Sequence, residues 1–185
     1  MSAPLHVPLF RKLSSADRDR LTAHLLRLDD ADRRMRFCGG VGEQRIRSYC
    51  AGLDWSKTTV LGYVERGELR AVSELVRTQT AFPGSAELAL SVEKPLQNQG
   101  IGTELLRRAL VIARNRYLST VYMFCLRENQ KMQHIARKFG AKLIIHPGEV
   151  EARIWPPWPT YLSLIEEAAS DGRALLWAPS EQACA

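Results

Sequence analysis

The sequence predicts an α/β (α+β) domain with a mixed, mostly antiparallel central sheet flanked by helices. Three observations lead there. Two strand-like runs, Thr58 to Glu65 and Leu69 to Thr78, are joined by a short glycine turn. After them, strand-like and helix-like runs alternate to about residue 146. The composition, 45% apolar and 25% charged over 185 residues, is that of a globular chain long enough for one sizeable core. Antiparallel strands followed by strand–helix–strand–helix–strand imply a mixed sheet with helices on its faces.

The elements follow in order. Leu5 to Leu13 reads as a first strand. Ser14 or Ser15 can cap a helix from about Asp17 to Leu28, where Leu21, Leu25 and Leu28 recur at helical spacing. A second helical pattern spans Asp32 to Phe37, Gly39-Gly40 breaks it, and a third covers Glu43 to Ala51. The two hairpin strands come next, turning at Arg66-Gly67-Glu68, with a second turn at Phe82-Pro83-Gly84. The remaining pattern is strand 86–93, helix 100–116, strand 119–126, helix 130–138 and strand 141–146. Trp155-Pro156-Pro157-Trp158-Pro159 excludes regular helix or central strand, and Thr160 to Ala169 suits a short amphipathic helix. The chain therefore divides into a domain over 1–146 and a C-terminal extension over 147–185, packed on or beside it. Three roles stay open for its tryptophans: covering the sheet, lining a groove or contacting a second subunit, so a homodimer is an open expectation.

Several function classes find no support. Cys38, Cys50, Cys125 and Cys184 are widely spaced and form no CxxC pair, so neither a disulfide framework nor a zinc site is expected. The four histidines form no metal-type i, i+4 pair. No apolar run approaches ~18 residues and the N-terminus lacks a signal-peptide stretch, so no membrane span is expected and the cytoplasm is the default location. The net charge of +6 comes from bases interleaved with acids, as in Asp29 to Phe37, without a basic–aromatic nucleic-acid motif.

The chemistry concentrates in Gln97-Asn98-Gln99-Gly100-Ile101-Gly102, between the strand-like Glu87 to Val92 and the helix-like Thr103 to Arg116. A glycine turn opening into a helix leaves backbone N–H groups of about Gln99 to Thr103 unpaired where the helix dipole is positive, a site for phosphate or pyrophosphate. Gly100 and Gly102 let a ligand approach the backbone. No Lys follows Gly102, which excludes a P-loop, and Leu105 stands where a dinucleotide fingerprint needs its third glycine.

The pattern Gln/Arg-x-x-Gly-x-Gly/Ala after a strand and before an amphipathic helix resembles the acyl-coenzyme A signature of the GNAT N-acetyltransferase superfamily. The flanks resemble it too: AELALSVEKPLQNQGIGTELLRRAL, then Asn129 and IARKFGAKL (Ile135 to Leu143). The resemblance runs from about Pro8 to Ile145. Leu13 to Phe37, Asp54-Trp55 and Arg127 to Ala141 look most like GNAT domains of bacterial protein-lysine acetyltransferases.

That resemblance implies splayed central strands binding acetyl-CoA. Leu90, Ser91 and Val92 would pair with its pantetheine arm, and an N–H there, that of Val92, would polarise the thioester carbonyl. Gln97, Asn98, Gln99, Gly100, Ile101, Gly102 and Thr103 would hold the pyrophosphate end. Asn129 would contact the pantetheine arm, cap helix 130–138, or both. The acceptor would be a primary amine, on a protein lysine or a small molecule. Such an amine, of pKa about 10.4, costs roughly 4–5 kcal/mol to deprotonate at pH 7, so the reaction needs a base. Glu87, ten positions before Gln97, is the first choice, and a surface carboxylate at a strand start is its plain alternative. Alternation puts Glu87, Ala89, Ser91 and Glu93 on one strand face. Glu74, alternating with Val72 and Val76, is the rival; it is either buried, with a raised pKa, or an edge residue in water. Many relatives carry a thiolate-protonating Tyr where this chain has Ala136. A non-catalytic acyl-CoA sensor is therefore the alternative function.

Overall fold

A computed structural model describes residues 9–79 and 82–177, with side chains described up to residue 172. Its centre is a seven-stranded sheet: β1 (Leu9–Leu13), β2 (Thr58–Glu65), β3 (Glu68–Gln79), β4 (Gly84–Val92), β5 (Leu118–Leu126), β6 (Lys142–Ile145) and β7 (Glu149–Ile154). The spatial order is β1-β2-β3-β4-β5-β7-β6. Only β4 and β5 run parallel. The helices are α1 (Arg18–Arg27), α2 (Asp30–Phe37), α3 (Glu43–Ala51), α4 (Ile101–Asn115), α5 (Gln130–Lys138) and α6 (Tyr161–Trp177).

Local chemistry sets the boundaries. A 3₁₀ turn over Ser15–Asp17 precedes α1, and the Ser14 N–H donates to Asp17 Oδ2 at 3.0 Å, so the helix starts one residue later than expected. Asp29 accepts from the Asp32 N–H at 2.8 Å and caps α2, which consequently begins two residues before the predicted Asp32. Arg66 and Gly67 both have positive φ (54° and 77°), the two-residue turn whose twist suits a hairpin, and Glu65 pairs directly with Glu68. Leu5 to Pro8 of the predicted first strand lie outside the described residues.

Two elements depart from the sequence reading. Residues 149–154, placed in the C-terminal extension, form β7 between β5 and β6. Their alternation, with Val150, Ala152 and Ile154 buried, is that of a strand with one face in the core. Helix α6 runs past residue 169 to Trp177. It docks by polar contacts: Lys12 Nζ reaches Glu167 and Asp171 at 2.6 and 2.7 Å, and Asn115 Nδ2 donates to Glu167 at 2.8 Å. Residues 155–160 are irregular, as the prolines require. Trp155 and Trp158 are exposed, Trp158 lying against Tyr117 and Phe82.

The sheet carries a core on each face. On one, α4 lays Leu105, Leu106, Ala109 and Ile112 against Leu75, Leu88, Leu90 and Met123. On the other, α1 and α3 lay Leu21, Leu25 and Ile46 against Val60, Val64 and Val72. No helix among the described residues is long and apolar enough to cross a membrane.

Candidate active site

The site begins where two strands part. Parallel pairing of β4 with β5 ends at Glu87↔Tyr122, five residues before β4 itself ends. Beyond this point lies a cavity of about 630 Å³, walled by α2, the end of β4, the 97–103 turn and α5. Backbone direction along β4 follows from one bond. The Glu93 N–H donates to Arg70 O at the edge of β3. Strand alternation therefore turns the N–H groups of Val92 and Leu90 toward the open side, where β5 has left.

The turn supplies the other end. Asn98 and Gly100 take positive φ (63° and 83°), and Gly100 is the N-cap of α4 without any side-chain cap. The N–H groups of Ile101, Gly102 and Thr103 thus point out of the helix start, where the dipole is positive. A Cβ on Gly100 would meet nothing within 4 Å, which leaves space for a ligand at the backbone.

The structure sorts the sequence-predicted residues. Leu90, Ser91, Val92, Gly100, Gly102 and Thr103 border the cavity, as do Gln97, Asn98 and Asn129. Asn129 Oδ1 accepts from the Met132 N–H at 3.1 Å, so it caps α5 while bordering the cavity. The Gln97 amide is held within the protein: Nε2 donates to Asp32 and to Val92 O, both at 3.0 Å, and Oε1 accepts from Lys131 at 2.7 Å. It ties three walls together. Two side chains do not reach the cavity. Ile101 is buried against the α4 core, and Gln99 turns back to Pro95 O at 2.9 Å. Only their backbone groups remain for an anion.

The two carboxylates separate clearly. Glu87 is exposed, on the same sheet face as Ser91, at the crotch of the parted strands. A rise of ~3.3 Å per residue puts its Cα ~13 Å from that of Ser91. Glu74 is buried, one of the two placements its alternation left open, and both of its oxygens are engaged. Arg36 Nη2 lies 2.5 Å from one oxygen and the Tyr49 hydroxyl 2.5 Å from the other. Desolvation alone would lower the Arg36 pKa, yet Glu74 reverses it and holds the guanidinium charged; burial first and Glu74 second push the Tyr49 phenol up. Glu74 is thus held in a closed ion pair and does not line the cavity, which leaves Glu87 as the carboxylate without such a partner among the contacts shown.

The places of three residues were beyond sequence reasoning. His24 on α1, fully buried, lies between Ser91 and Glu93: Nε2 is 2.9 Å from Ser91 Oγ and Nδ1 is 3.1 Å from Glu93 Oε1. Arg36 and His134 also border the cavity. Ala136 is buried in the α4 core.

A family profile described as the acetyltransferase (GNAT) domain matches residues 9–142. The chain belongs to the GNAT acetyltransferase family. Acetyl-CoA is the acyl donor of GNAT domains. The fold is shared with the GNAT domain of S. lividans PAT, at TM-score 0.69 and 19% identity over 83% of this chain and 99% of that one. The yncA acetyltransferase of Salmonella typhimurium, solved with acetyl-CoA, gives TM-score 0.62 and 13% identity over 83% and 96%. A cAMP-binding acyltransferase from Mycobacterium smegmatis gives TM-score 0.59 and 21% identity over 92% of this chain but 52% of that one. No curated protein matches the chain.

Proposed function

We propose that this GNAT domain transfers an acetyl group from acetyl-CoA directly to a primary amine, on a protein lysine or a small molecule, with Glu87 as general base. One observation carries the reading. The β4–β5 pairing stops at Glu87↔Tyr122, and the cavity beyond runs from the free N–H edge of Leu90 and Val92 to the uncapped start of α4. An extended phosphate-bearing thioester fits such a cleft, and the acetyl-CoA in yncA supports that choice of ligand.

Each role follows from position. The N–H groups of Ile101, Gly102 and Thr103 would hold pyrophosphate oxygens. Leu90 and Val92 would pair with the pantetheine amides as an added strand does. The Val92 N–H would stabilise the oxyanion that develops on the thioester carbonyl. Glu87, exposed where the strands part and outside the residues that line the cavity, would draw the amine proton through water, since the strand rise leaves it too far from Ser91 for direct contact.

The test is free-thiol release from acetyl-CoA with lysine peptides and pooled small amines, alongside coenzyme A binding by calorimetry. Glu87→Gln is expected to lower kcat/KM by ~10²–10⁴-fold with coenzyme A affinity unchanged. Equal turnover in the variant removes Glu87 as base. Binding without turnover for every amine favours the sensor reading.

A further inference from the structure

We propose that Ser91, His24 and Glu93 form a nucleophile–base–orienter triad that takes the acyl group from an acyl-CoA thioester and passes it to water, an amine-independent hydrolase activity of the same cleft. The proposal rests on the reading of that cleft as an acyl-CoA site.

The geometry meets the triad requirements in sequence. Ser91 Oγ is 2.9 Å from His24 Nε2, and His24 Nδ1 is 3.1 Å from Glu93 Oε1. Glu93 also faces Arg27 Nε at 2.9 Å and Arg70 Nε at 2.9 Å. Burial alone would raise the Glu93 pKa, but the contacts to His24 and Arg27 outweigh it and keep the carboxylate ionised. An ionised Glu93 can only accept, so the hydrogen-bond network assigns the proton to His24 Nδ1. The lone pair on Nε2 then faces Ser91, whose hydroxyl must be the donor. Burial lowers the His24 pKa, against the pull of Glu93, so the ring is neutral and free to take a proton. The remaining charges near His24, Arg27 and Glu74, are each paired.

Two further features separate this cluster from a closed polar network in a core. Ser91 borders the cavity, so the chain of bonds has an outlet where the thioester would lie. The next residue, Val92, turns its N–H toward the same open side, by the alternation set by Glu93 N–H to Arg70 O. A nucleophilic serine followed by its own oxyanion-stabilising N–H is the arrangement of serine hydrolases.

The step balances without an outside reagent other than water. Ser91 Oγ attacks the thioester carbonyl carbon while its proton passes to His24 Nε2. The C–O bond forms, the C–S bond breaks, and His24 returns the proton to the departing sulfur. Water then enters, gives a proton to His24 Nε2 and attacks the ester. Ser91 leaves with that proton, and a carboxylic acid is released.

The experiment incubates the full chain with acetyl-CoA and no amine. It follows free thiol and acetate, and examines acid-quenched protein by intact mass and peptide mapping. Coenzyme A binding is measured in parallel by calorimetry. The wild type is expected to hydrolyse acetyl-CoA and to carry one hydroxylamine-labile acetyl group on Ser91. Ser91→Ala, which removes a single oxygen, is expected to lose the adduct and on the order of 10²-fold or more of the hydrolysis while still binding coenzyme A. His24→Gln should do the same. Coenzyme A binding with no adduct, and equal hydrolysis in wild type and Ser91→Ala, overturns the proposal and leaves the amine-transfer reading intact. No coenzyme A binding by the wild type overturns both.

Discussion

The two faces of the sheet are built on different chemistry. Against α4, the buried side chains of β2 to β5 are apolar apart from Ser73: Leu61, Leu75, Leu88, Leu90 and Met123 meet Leu105 and Leu106. Against α1 to α3, an apolar floor of Val60, Val64 and Val72 also carries Glu74, Ser91 and Glu93, held by Arg36, Tyr49 and His24. The α4 face gains from area removed from water and tolerates no charge. The α1–α3 face holds charges out of water only because each has a close partner. Packing therefore fixes the first face, whereas the second depends on pairs whose members come from different elements, and it is the face that opens on the cleft.

The difference can be broken most sharply at Glu74. Replacing it with Ala leaves the buried Arg36 guanidinium unpaired and is expected to cost about 3–5 kcal/mol in urea unfolding. Adding Arg36→Met should recover much of that loss, because the second substitution removes the orphaned charge. A loss under about 1 kcal/mol, or no recovery in the double variant, would mean that the pair is solvated and the two faces are alike. On the opposite face, Leu105→Ala at a fully buried position is expected to cost about 3 kcal/mol through lost burial and a cavity. No second substitution among its neighbours should rescue it as Arg36→Met rescues Glu74→Ala, except one that refills the volume. Rescue by removing a polar group would contradict the apolar character assigned to the α4 face.

This contrast also explains how much was legible in the sequence. The α4 face announces itself locally: Leu105, Leu106, Ala109 and Ile112 recur at helical spacing after a glycine turn, and Leu88 and Leu90 alternate on the strand before it. The glycine turn belongs to that local signal, and Gly100, Gly102, Thr103 and the edge of Leu90 to Val92 border one cavity. Strand β7 had an equally local alternation, but it lies beyond the span of the family resemblance and just before the proline run. The polar contacts of the other face offered no such signal, although Leu21, Leu25 and Leu28 of its α1 did recur at helical spacing. His24 meets Ser91 and Glu93 across 67 and 69 residues, and Arg36 meets Glu74 across 38. Alternation could say that Glu93 shares the strand face of Glu87 and that Glu74 shares that of Val72 and Val76. It could not say that Glu74 would be closed by a guanidinium while Glu87 stayed exposed.

The smallest effect is a pH dependence confined to the polar face. Burial holds the His24 pKa below its ordinary value, against the opposing pull of Glu93, while the unfolded chain titrates near 6.5. Above ~6.5 neither state binds the proton and stability is unaffected. Below it the unfolded chain takes a proton that the folded chain refuses, so stability falls as the pH drops, by at most about 1.4 kcal/mol per pH unit for one proton. Glu93, held low by His24 and Arg27 against burial, has the same sign in a lower window: its stabilisation is full above ~4.5 and is lost as the pH falls through its folded value. Urea midpoints between pH 5 and 8 should therefore slope downward toward acid in the wild type and flatten in His24→Gln. Leu105→Ala, which changes no titrating group, should shift the whole curve and keep its shape. Parallel curves for wild type and His24→Gln would show that the slope does not come from His24 and that burying it costs the fold nothing in this range.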